Sequence, residues 1–97
     1  MAQVVYTKNV LANLERVFAF LAEQDASAAV DAAAAVCDAV GVLADHPLIG
    51  RRIAGEIREL VISYGKTGYV ALYRFLPEKN LTRLLAIRHQ HELDFPG

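Results

Sequence analysis

Between Glu56 and Arg88 the chain writes three apolar runs of strand length: 56–64, 69–76 and 81–88. They are rich in Val, Ile, Leu, Tyr and Phe, and Gly65-Lys66-Thr67-Gly68 and Pro77-Glu78-Lys79-Asn80 separate them as short turns. Runs of this kind punctuated by such clusters specify an antiparallel β-meander. Three strands cannot bury their own apolar surface, so the rest of the chain has to supply a covering layer.

That layer is helical. After a short strand at Val4-Val5-Tyr6, Thr7 stands where a helix N-cap would be. From Lys8 to about Glu23, Val10, Leu11, Leu14, Val17, Phe18 and Leu21 recur at three- and four-residue spacing and form one apolar face. Asp25 or Ser27 can cap a second helix, which opens with seven alanines in the ten residues 26–35. Val30, Ala33, Cys37, Val40 and Ala44 form a row on it, widened by Val36 and Leu43, and the helix stops near His46 because the residue before Pro47 is driven out of the α region. Residues 48–55 have no clear period and read as a loop. The expectation is one α+β domain over 1–97: a short N-terminal strand and an antiparallel helical hairpin packed on one face of a mainly antiparallel sheet, in the order β-α-α-β-β-β. Both sheet faces are partly apolar, so the pattern leaves open which of them meets the helices.

Hydrophobic residues make up 55% of the chain and charged residues 22%, as in an ordinary globular protein with a generous apolar share. No stretch reads as a membrane span of ~20 apolar residues, and the N-terminus lacks the order of a signal peptide, so a cytoplasmic location is expected. Cys37 has no cysteine partner, and its place on the apolar row predicts a small core residue.

Net charge is −1, but the two halves differ. Residues 1–50 hold two basic and six acidic residues, whereas residues 51–97 hold eight basic and five acidic ones. A polyanion or an acidic peptide would therefore meet the sheet half.

The sheet half also holds residue types suited to RNA cleavage, which needs an acid, a base and cations for the phosphorane. Arg58, Arg74 and Arg88 are the candidate cations, His89 or His91 the candidate acid or base, and Tyr64, Tyr69 or Tyr73 candidate stacking platforms. Taken one at a time, each arginine is more simply a surface strand residue and each tyrosine a packing residue with a wet hydroxyl. A purely structural account pairs Arg74 or Arg88 with Glu59. His89 and His91 lack a third and fourth ligand partner, so no metal is expected. The 65–68 turn lacks the upstream glycine of a phosphate loop and leads into a strand, so it is a hairpin turn and no nucleotide site.

Arg58-Glu59-Leu60, Gly68-Tyr69-Val70-Ala71-Leu72-Tyr73-Arg74 and Ala86-Ile87-Arg88-His89-Gln90, together with Ala28-Ala29 and His46-Pro47-Leu48-Ile49-Gly50-Arg51, resemble the RelE/ParE superfamily of bacterial toxins. The resemblance spans nearly the whole chain. It implies the toxin of a type II toxin-antitoxin (plasmid stabilisation) module, with no cofactor, that forms an oligomeric complex with a cognate antitoxin protein whose tail folds on binding. RelE-like members cut messenger RNA on the ribosome with a strongly basic set of residues; ParE-like members lack that set and bind DNA gyrase. With a pI near 6.3, and with only Lys66 and Lys79 as lysines in the sheet half, this chain resembles the ParE-like branch. The resemblance offers Arg58, Lys66, Tyr73, Arg74, Arg88, His89 and His91 as target-binding residues, with Arg58, Arg74 and His89 catalytic if the protein is a ribonuclease. The family's ending after Arg-His-Gln is an Arg-Glu pair, a small residue and an aromatic; here His91 stands for the arginine while Glu92 and Phe95 remain. A family member reduced to a non-toxic interaction domain is a third expectation.

Overall fold

The structure, a computed structural model, describes residues 1–64 and 67–89. Strand β1 (Gln3–Tyr6) leads into helices α1 (Lys8–Gln24) and α2 (Ala26–Asp45), and then four strands follow: β2 (Arg51–Ala54), β3 (Ile57–Tyr64), β4 (Thr67–Leu76) and β5 (Leu81–His89). They form one mixed sheet in the order β1-β5-β4-β3-β2, in which only the β1–β5 pair is parallel. The α+β architecture and the helical hairpin are those expected from the sequence.

Both helix starts follow from their caps. The Thr7 hydroxyl accepts from the Val10 N–H at 3.3 Å and donates to the Leu84 carbonyl at 2.8 Å, so one side chain starts α1 and ties it to β5. Asp25 alone separates the helices, and its carboxylate accepts from the Ser27 and Ala28 amides. The core joins Val10, Leu14 and Val17 of α1 and Val36, Val40 and Leu43 of α2 to Ile62, Tyr69, Ala71, Tyr73, Leu84 and Ile87 of the sheet. The face carrying Tyr69, Ala71 and Tyr73 therefore meets the helices, which the sequence had left open.

Four expectations change. Residues 51–54 form a short strand paired with β3 and no loop, adding a fourth strand to the meander. All four are exposed at the sheet edge, so no burial demand gave them a strand pattern. Thr67 and Gly68 belong to β4, paired with Tyr64 and Ser63, and not to the turn. The buried row of α2 is Ala29, Ala32, Val36, Val40 and Leu43, while Val30 is 69% exposed and Cys37 is exposed. Alanine is tolerated inside and outside, so a run of seven carries almost no phase information, and the row slipped by one residue. Finally, α2 is 20 residues long and by length and composition apolar enough to cross a membrane. Its buried row packs into the core, and Asp31, Asp38 and Asp45 lie on its exposed side.

Candidate functional site

The two sheet faces carry different chemistry. On the face away from the helices, cross-strand register sets Arg74 opposite Arg83, Val70 opposite Arg88 and Glu59 opposite Arg51. Arg74 is held by Glu56, whose Oε2 lies 2.8 Å from one terminal nitrogen and 3.1 Å from Nε. Among the described residues Arg83 and Arg88 are exposed and make no ion pair. Like charges directly opposed across strands repel, and Glu56 offsets only part of that. Arg74, Arg83 and Arg88 thus form a cationic strip, while the exposed acids of α2 lie in the opposite layer, so the charge difference between the two halves of the sequence becomes a difference between layers.

A strand irregularity builds that strip. Arg83 and Arg88 are five residues apart and would face opposite ways on a regular strand. The register shift between Leu72 and Tyr73 leaves Leu85 without an opposite residue, and this extra residue returns Arg88 to the face of Arg83. Arg83 is absent from the residues picked out by sequence for this reason: strict alternation separates it from Arg88. Its exposure between Thr82 and Leu84, both fully buried, was the available signal.

Other residues expected in the set sit elsewhere. Arg58 lies on the helix side, where its guanidinium donates to the carbonyls of Leu48 (3.2 Å) and Gly50 (2.8 Å) and anchors the 46–50 loop. Tyr73 is fully buried, and its hydroxyl accepts from the Gly50 N–H at 2.8 Å. It is a core residue and cannot stack on a ligand. Burial raises the Tyr73 pKa above the ordinary tyrosine value, against smaller lowering influences from the Gly50 N–H and Arg58. Tyr69 is also buried. Glu59 pairs with Arg51 at 2.5 Å, and neither Arg74 nor Arg88 is its partner. Lys66 and His91 lie outside the described residues, as does the Glu92 to Phe95 ending, and Tyr64 is described only in its backbone.

His89 packs edge-on against Tyr69, with ring centroids 5.4 Å apart and planes at 87°. Both line an apolar groove of about 480 Å³ beside Arg16, Val17, Phe20, Leu21 and Gln24 of α1. His89 is therefore on the helix side of the sheet, separated by the sheet itself from Arg74 and Arg88. Among the described residues no three His, Cys, Asp or Glu side chains come together. Cys37, exposed on α2, lies beside Tyr6, whose pKa rises chiefly through burial and further through this thiol.

This fold, a helical hairpin on a sheet whose far face is cationic, agrees with the family model that the sequence matches. Residues 4–94 match the ParE toxin of the type II toxin-antitoxin system, parDE, and the chain belongs to that family. A relative, Toxin RelE3 of Caulobacter vibrioides, is 42% identical over 50 residues. That match spans 52% of this chain and 52% of the relative, about half the length of each.

Proposed function

We propose that this protein is the toxin of a type II toxin-antitoxin module, neutralised by a cognate antitoxin, and that it acts by binding DNA gyrase through the helix-free face of its sheet. One observation carries the choice of binding over RNA cleavage. The groups that a ribonuclease would need together, Arg58, Arg74 and His89, are divided between two faces, and Arg58 is committed to backbone carbonyls. A general acid or base must come within hydrogen-bond reach of the reacting group, and cations on the far side of a sheet cannot stabilise the same phosphorane. The strip of Arg74, Arg83 and Arg88 suits an acidic protein surface.

Expression without antitoxin is expected to arrest growth with filamentation and DNA damage while translation continues. The purified chain should inhibit gyrase supercoiling, with Arg83→Ala plus Arg88→Ala reducing inhibition at least about tenfold and leaving the melting temperature within a few degrees. Codon-specific cuts in ribosome-bound messages would establish RNA cleavage instead, and an inert protein in both assays would favour a non-toxic interaction domain.

A further inference from the structure

The sheet has two edges, and the chain closes only one of them. On the β1 side, β1 pairs with residues 81–84, and side chains of α1 continue where it ends: Asn9 Nδ2 donates to the Leu85 carbonyl at 2.7 Å, and Asn13 Oδ1 accepts from the Ile87 N–H at 3.0 Å. On the other side, β2 pairs with β3 only at Ile57, Arg58 and Glu59. From Leu60 to Tyr64 the outer edge of β3 has no partner strand among the described residues.

This open edge lacks the devices that usually blunt one. Leu60-Val61-Ile62-Ser63-Tyr64 contains no charge and no proline. Where β2 begins, the chain turns away from β3 and leaves a notch of about 460 Å³ bounded by Ile49, Gly50, Arg51, Glu59, Leu60 and Val61. Val61 is 55% exposed and Ile49 57% exposed at its sides. Arg51 and Arg52 stand at the same end. Arg51 remains 76% exposed despite its bond to Glu59, and Arg52 is exposed with no ion pair among the described residues.

We propose that the β3 edge from Leu60 to Tyr64 is a docking strip on which an extended segment of the antitoxin adds as a strand in line with β2. Alternate backbone groups of the strip supply the ladder, Val61 and Ile49 take apolar side chains, and Arg51 and Arg52 take acidic residues at one end. The inference rests on the toxin-antitoxin reading for the identity of its occupant.

Amide hydrogen exchange on the full chain, alone and coexpressed with the protein encoded in the adjoining reading frame, tests it. Outward-pointing amides within 60–64 are expected to exchange rapidly in the free chain and at least about 100-fold more slowly in the complex. Val61→Glu should weaken the complex at least about tenfold, with the free chain melting as before. A complex whose protection is confined to the groove between Phe20 and Tyr69, with 60–64 unchanged, overturns the edge proposal and leaves the toxin-antitoxin reading standing. No complex at all overturns both. If Val61→Glu fails to fold, the exchange measurement on the unaltered chain decides alone.

Discussion

Two edges of one sheet meet the same physical problem with different chemistry. Backbone N–H and C=O groups at an edge need partners or water. At β5 a strand covers four residues and then two asparagines one helical turn apart, Asn9 and Asn13, take over the edge. At β3 a strand covers three residues and nothing takes over. A helix can thus stand in for a missing strand when its side chains carry both a donor and an acceptor. The edge without such a helix is the one left available to another chain.

The largest expected effect comes from making the open edge longer. Gly50 is where the chain reaches β3, and a Cβ there would lie 2.6 Å from the Tyr73 hydroxyl and 2.7 Å from the Glu59 carbonyl oxygen. Gly50→Ala should cost about 3 kcal/mol in urea unfolding and speed amide exchange across β2. A change below about 1 kcal/mol would mean that the loop shifts freely. Next is the closed edge. Asn13→Ala leaves the N–H of fully buried Ile87 without its acceptor and should cost about 2 kcal/mol. Asn13→Asp keeps an acceptor and should recover most of that; equal losses in the two variants would show that the asparagine matters for packing alone.

The smallest effect tests the link between the core and the open edge. Tyr73→Phe removes the acceptor of the Gly50 N–H and should cost about 1 kcal/mol. It should also change the response to alkali. Because burial raises the Tyr73 pKa, its contribution is fully present below the ordinary tyrosine value of 10.0 and declines as pH rises above it, since the unfolded chain ionises first. Tyr6 is raised as well, so melting temperatures between about pH 9 and 11.5 should fall less steeply in the variant without becoming flat. An unchanged slope would remove Tyr73 from this account.

The sequence made the layers legible because periodicity reports burial. The α1 stripe and the 77–80 turn are where their residues placed them, and Asn80 adopts the left-handed conformation (φ 47°) that closes the turn. Strand β2 was not legible, since an exposed edge strand has no face to encode. The site was harder to read. Whether an arginine of β5 joins Arg74 depends on a single register shift, and Tyr73 and Arg58 are engaged by backbone groups that reach them from the 46–50 loop. Side-chain type tells what a residue can bind, and here the nearest backbone had already bound it.

The parallel pairing of the first strand with the last sets an order of events during synthesis. Thr7, which starts α1, bonds to Leu84, 77 residues later in the chain. The helical hairpin can form as soon as it is made, but its apolar stripe has no sheet centre to rest on until β5 arrives. Closing so long a loop slows folding, because the entropy is lost before the contacts that reward it are made. A nascent chain is therefore a sticky helical pair waiting for its final strand, and a chain stopped before Leu81 lacks the strand that β1 and α1 need.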